Sequence, residues 1–112
     1  MSKGYNNAPR GGANINQIMK QAQKMQADIA RMQEELNQRE FSATSGGGAV
    51  KATVTGGKSL VSLEIAQSAV DPDDVEMLQD LVVAAVNEAL RTADETVASE
   101  MNKVTGGMNL GF

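Results

Sequence analysis

A chain of 112 residues, 41% hydrophobic and 21% charged, suits one small domain that is too short to build a deep core alone. It has no His and no Cys, which removes imidazole bases, thiolate nucleophiles, disulfides and the familiar zinc ligand sets. No run approaches the roughly 18 apolar residues of a membrane span, and the start Met-Ser-Lys-Gly-Tyr-Asn-Asn lacks the apolar centre of a targeting segment. A soluble cytoplasmic protein without an enzyme activity, a cofactor or a small-molecule substrate is the expectation. The three aromatics, Tyr5, Phe41 and Phe112, leave no platform for stacking unpaired bases.

The net charge of −4 argues against nucleic acid until its placement is considered. Residues 1–27 carry Lys3, Arg10, Lys20 and Lys24 and no acid, so this end is +4 and the remaining 85 residues sum to −8. Such an asymmetry can mark a nucleic-acid contact surface on a body that otherwise repels phosphate. The plainer reading is a solvated tail and helix face.

In chain order, residues 1–13 hold Pro9, Gly4, Gly11, Gly12 and two Asn, with little to bury, and read as a flexible arm. Asn14 is placed to cap a helix running to Arg39. Within it Ile15, Ile18, Ala22, Met25, Ile29, Met32 and Leu36 recur at alternating gaps of three and four, a heptad seam. A helix of about 26 residues is roughly 39 Å long, whereas a compact chain of this size has a radius of gyration near 13 Å. The seam therefore asks for a second copy, with Ile29, Met32 and Leu36 at the interface. On the opposite side Lys20, Lys24 and Arg31 fall within about 40° of one another. Asp28, Glu34 and Glu35 interrupt or border this stripe, which makes Lys20 and Lys24 better phosphate candidates than Arg31.

Beyond Arg39 the period drops to two. Glu40–Ser45 reads as a strand, Gly46-Gly47-Gly48 as a turn, Ala49–Thr55 as a second strand with Val50, Ala52 and Val54 on one face, and Gly56-Gly57 as a hairpin turn. A third strand over Ser59–Ala66 places Leu60, Ser62 and Glu64 opposite Val61, Leu63 and Ile65. The result is an antiparallel three-stranded meander covered on one face by helix.

A second helix is expected from about Pro72 to near Lys103, capped by Asp71 with Pro72 at its first position. Asp73, Asp74 and Glu76 would then complement its positive end. Its centre, Leu81-Val82-Val83-Ala84-Ala85-Val86, is apolar on every side and calls for burial on every side. Leu78, Val82, Ala85 and Ala89 can face the sheet, leaving Leu81, Val83 and Ala84 for a partner subunit. Thr105-Gly106-Gly107 stops the helix, and residues 108–112 form a short apolar tail.

Two motif readings fail on spacing. Gly56-Gly57-Lys58-Ser59 lacks the earlier glycine of a phosphate-binding loop, where Ala52 stands, and is followed by a strand rather than a helix. Asp71, Asp73 and Asp74 would need Gly at 76 and Glu at 82 to form a calcium loop, and the chain has Glu76 and Val82 there. No metal site is expected.

The run Gln17-Ile18-Met19-Lys20-Gln21-Ala22-Gln23-Lys24-Met25-Gln26, then Met32-Gln33-Glu34-Glu35-Leu36, resembles the first helix of the YbaB/EbfC family of bacterial nucleoid-associated proteins. Val54-Thr55-Gly56-Gly57-Lys58, the stretch Asp80 to Ala89, and Thr105-Gly106-Gly107-Met108-Asn109-Leu110 are similar to that family's later landmarks, in the same order. The resemblance covers nearly everything after residue 14. It implies an α+β fold with an α-β-β-β-α protomer, a three-stranded antiparallel sheet and two long helices, assembled as an intertwined homodimer whose protruding helices grip duplex DNA on the nucleoid. Residues 14–107 would be the dimerising DNA-binding domain. Lys20, Lys24 and Arg31 would carry the DNA contacts, with Lys3 and Arg10 of the arm assisting.

Two classes of function follow. The first is a nucleoid-associated homodimer that binds double-stranded DNA with weak sequence preference, since little here is arranged for bidentate base reading. The second is a coiled-coil adaptor whose helices clasp a protein partner.

Overall fold

The computed structural model describes the backbone of residues 2–104 and the side chains of residues 14–104. In chain order it has helix α1 (Ser2–Gln38), strand β1 (Glu40–Ser45), a 3-10 turn (Gly46–Gly48), strands β2 (Val50–Thr55) and β3 (Leu60–Ile65), a second 3-10 turn (Gln67–Ala69) and helix α2 (Val75–Val104). The strands form one antiparallel sheet in the order β1-β2-β3. This is the expected α-β-β-β-α order. The chain divides after Met32 into two compact units.

The first unit consists of helix. α1 begins at Ser2, so Asn14 lies inside the helix instead of capping it, and the segment expected as an arm is part of α1. Cooperativity favours this: once the heptad segment has met the cost of nucleation, each added residue other than Pro9 gains one bond, which offsets the poor formers Gly4, Gly11 and Gly12, while Pro9 lacks the N–H to do so. The side chains of Lys3 and Arg10 lie outside the described residues, as do the 105–107 stop and the 108–112 tail.

In the second unit the central strand supplies the core. Val50, Ala52 and Val54 are fully buried, because alternation sends all three to one face and α2 lies across it. α2 answers with Ala85, Ala89 and Ala93, also fully buried, at the four-residue spacing that lines one helix face. Small side chains there let the helix approach the sheet, while Phe41, Ala43, Leu78, Val82, Val86 and Leu90 fill the margins. On the outer face Ser42 and Thr53 share a hydrogen bond of 2.9 Å between their hydroxyls.

Three local expectations are corrected. The helix-capping aspartate is Asp74, whose carboxylate accepts from the Met77 N–H at 3.1 Å. Asp71 instead closes the preceding turn, accepting from the Asp74 N–H on its carbonyl and the Asp73 N–H on its side chain, both at 2.9 Å. That turn holds Pro72 outside the helix. The third strand runs Leu60–Ile65, and a bulge changes its facing: Thr53 pairs with Ser62 but Val54 pairs with Leu60, leaving Val61 as the extra residue. Leu60 therefore joins Leu63 and Ile65 on the apolar face, where the strict alternation expected from the sequence had separated it from them. Third, Leu36 and Leu81 are taken up within the chain. Leu36 is fully buried, and Leu81 packs on the core beside the glycine turn, where its carbonyl accepts the Ser45 hydroxyl at 2.6 Å. Leu36 is covered within the chain, whereas Leu81 stays half-buried.

Candidate nucleic-acid interface

Helical geometry places Lys20 and Lys24 one turn apart on one face of α1. Both are exposed. Arg31 is exposed as well, but its guanidinium donates to Asp28 at 3.2 Å, so part of its charge is already answered. The other described cations are also paired. Arg39 and Lys103 both meet Glu100, Lys51 meets Glu64, Lys58 meets Asp94, and Arg91 bridges Glu88 and Glu95 along α2. Among the described residues, Lys20 and Lys24 are the cations without an ion pair.

Charge regulation follows the same division. The Arg91 guanidinium beside Glu88 holds that carboxyl below the usual range, mainly through its hydrogen bonds, and the two glutamates in turn raise Arg91. Lys103, with Arg39 behind it, lowers Glu100. These pairs place each described cation of the second unit beside a local acid. A phosphate approaching Lys20 and Lys24 displaces no carboxylate from either ammonium.

The apolar residues expected at a partner interface are distributed unevenly. Ile15, Ile18 and Met25 of the heptad seam are exposed, and Ile29 and Met32 are half-buried. On α2, Val83 is 56% exposed and Ala84 is exposed. β3 is the feature that alternation alone did not single out. Its apolar row, Leu60, Leu63 and Ile65, stands opposite the buried Val54, Ala52 and Val50, yet remains 52%, 37% and 38% exposed. The signal lay in the third strand's apolar content, but recognising it required knowing that α2 packs over β1 and β2.

Among the described residues no helix is long and apolar enough to cross a membrane, and no cluster of acidic, His or Cys side chains is placed to hold a metal ion.

Comparison with known proteins places the chain in a family. The chain is 61% identical over 100 residues to a nucleoid-associated protein of Thermoanaerobacter pseudethanolicus, covering 89% of this chain and 90% of the relative. It is 57% identical over the same length to a nucleoid-associated protein of Clostridium novyi, covering 89% and 88%. Among solved structures, an uncharacterized protein from Helicobacter pylori shares the fold at a TM-score of 0.56 and 24% identity, over 70% of this chain and 90% of that one. Residues 11–108 match the model of the YbaB/EbfC DNA-binding family, and the chain belongs to that family.

Proposed function

We propose that this protein binds double-stranded DNA as a nucleoid-associated homodimer, through Lys20 and Lys24 of α1, with Arg31 secondary and Lys3 and Arg10 assisting. The observation that carries the reading is the pair of exposed, unpaired ammonium groups one helical turn apart, in a chain whose other described cations each stand beside a carboxylate. Each ammonium neutralises a phosphate and releases condensed counterions, and a second copy doubles the set. Because these contacts are to the backbone, sequence preference is weak. The two relatives' names support association with the nucleoid, and with it a role in organising DNA or affecting its expression.

The homodimer is supported by apolar surface on both sides of the proposed contact. Helices pack about 8–10 Å apart and strands lie about 4.8 Å apart. A second copy's α2 set beside this one would therefore lie two strands over, above the Leu60, Leu63 and Ile65 row. In a two-fold arrangement Val83 and Ala84 of each copy would face the other, which covers the apolar helix centre on its remaining sides. Ile29 and Met32 of α1, both half-buried, are a separate candidate contact to the second copy.

The test is fluorescence anisotropy of a labelled random-sequence duplex at about 50 and 200 mM salt. Six to ten phosphate contacts would weaken binding by about 10³- to 10⁵-fold between those conditions. Absence of binding at low salt would reject the reading and leave the adaptor, in which the exposed seam of Ile15, Ile18 and Met25 clasps a protein.

A further inference from the structure

In the β2–β3 connection, Thr55 and Ser59 bracket a three-residue turn, Gly56-Gly57-Lys58. It is closed by the Thr55 N–H to the Ser59 carbonyl and the Lys58 N–H to the Thr55 carbonyl, each 2.9 Å, with the Ser59 N–H on the Thr55 hydroxyl at 3.2 Å. Such loops end in a residue of left-handed conformation, a position that favours glycine. Here that residue is Lys58, with φ 71°, the one non-glycine with positive φ among the described residues. The loop's two glycines are not left-handed. The chain thus places a lysine at the position where glycine would be least strained.

What the lysine gains locally is small. Its ammonium lies 3.6 Å from the nearest Asp94 carboxylate oxygen, and the two side chains are 66% and 54% exposed. Water and salt screen such a pair heavily. A backbone strain retained for only a screened, exposed ion pair points to a use for the side chain outside the protomer. A phosphate can take over an ammonium that a screened carboxylate holds loosely.

We propose that Lys58 is a further phosphate contact, which the β2–β3 turn presents to the duplex in addition to the lysines of α1. This inference rests on the DNA-binding reading above.

The test is Lys58→Gly, which removes the charge and relieves the left-handed strain together. The expected result is an unchanged or raised Tm with weaker duplex binding. The slope of log affinity against log salt should become shallower by about one for each copy whose turn touches DNA. Asp94→Asn, which frees the ammonium, should bind at least as tightly as the unaltered protein. Unaltered slope and affinity in Lys58→Gly, while the unaltered protein binds normally, would overturn the contact and spare the general reading. A lowered Tm with unaltered binding would equally overturn it, showing that Lys58 serves Asp94. Failure of the unaltered protein to bind any duplex would reject both readings.

Discussion

Gly56 lies directly against the carbonyl of Leu36: a Cβ at position 56 would stand 2.0 Å from that oxygen and 2.8 Å from its carbon. The same turn ties the end of α1 to the sheet, since the Gly56 N–H donates to the Arg39 carbonyl at 3.0 Å and the Gly57 N–H to the Asn37 carbonyl at 3.1 Å. Carbonyls that a helix end leaves without intrahelical partners are thus answered by a hairpin. The obstructing atoms are backbone and cannot swing aside. Gly56→Ala should therefore destabilise the protein by about 3 kcal/mol, whereas Gly57→Ala, whose Cβ would meet the Asn37 oxygen at 3.4 Å, should stay within about 1 kcal/mol. Urea unfolding of the two variants measures the difference, and equal midpoints would show that the contact relaxes.

Charge reversal of Lys20 and Lys24 tests the DNA surface directly. Lys20→Glu with Lys24→Glu should abolish duplex binding at about 100 mM salt while leaving the far-UV spectrum and the sedimentation coefficient unchanged, because both side chains are exposed and unpaired. Arg31→Ala should cost less than either lysine, since Asp28 already holds its guanidinium. Retained binding in the double variant would move the contact surface elsewhere.

The assembly surface can be disrupted one position at a time. Val83→Asp, Leu63→Asp and Ile29→Asp each place a carboxylate on apolar surface proposed to meet the second copy, and each should shift the protein toward monomer in sedimentation velocity at micromolar concentration. Leu36→Ala should behave differently. Its side chain is fully buried within the chain, so truncation should lower stability by about 3 kcal/mol. A dimer fraction unaffected by Val83→Asp and Leu63→Asp would exclude the two-fold packing over β3.

The capping correction is also measurable. Asp74→Ala removes the acceptor of the Met77 N–H and should cost about 1 kcal/mol; Asp71→Ala should leave α2 capped. If Asp71→Ala proves the more costly, the helix begins nearer Pro72 in solution.

Acid should loosen the contact between the α1–β1 junction and the end of α2. Glu100 accepts from Lys103 at 3.0 Å and lies 3.7 Å from Arg39, and these cations lower its pKa. A carboxyl lowered in the folded state contributes stability that is complete above its unfolded value, about 4.3, and is lost as pH falls through the folded value. Stability should therefore decline below about pH 4.3 less steeply in Glu100→Gln than in the unaltered protein. Parallel pH profiles would show that the Glu100 ion pairs contribute nothing to folding.

Much of this protein was determined by local pattern. The heptad from Ile15 to Leu36, the alternation of Val50, Ala52 and Val54, and the glycine punctuation at 46–48 and 56–57 each specify an element through short-range backbone preference and periodicity, so the α-β-β-β-α order was legible from the chain alone. The placement of Lys20 and Lys24 on one helix face was legible for the same reason, because 3.6 residues per turn sets it without reference to anything distant. Tertiary structure decided what periodicity could not. It showed that Leu36 is buried and Leu81 half-buried within the chain, that a bulge at Val61 turns Leu60 to the apolar face, and that α2 leaves the β3 row exposed. It also showed which cations are spent on local acids, because ion pairs such as Arg39 with Glu100 join residues far apart in sequence. A residue's period fixes the side of its own element, but whether that side is already covered depends on elements that only the folded chain brings together.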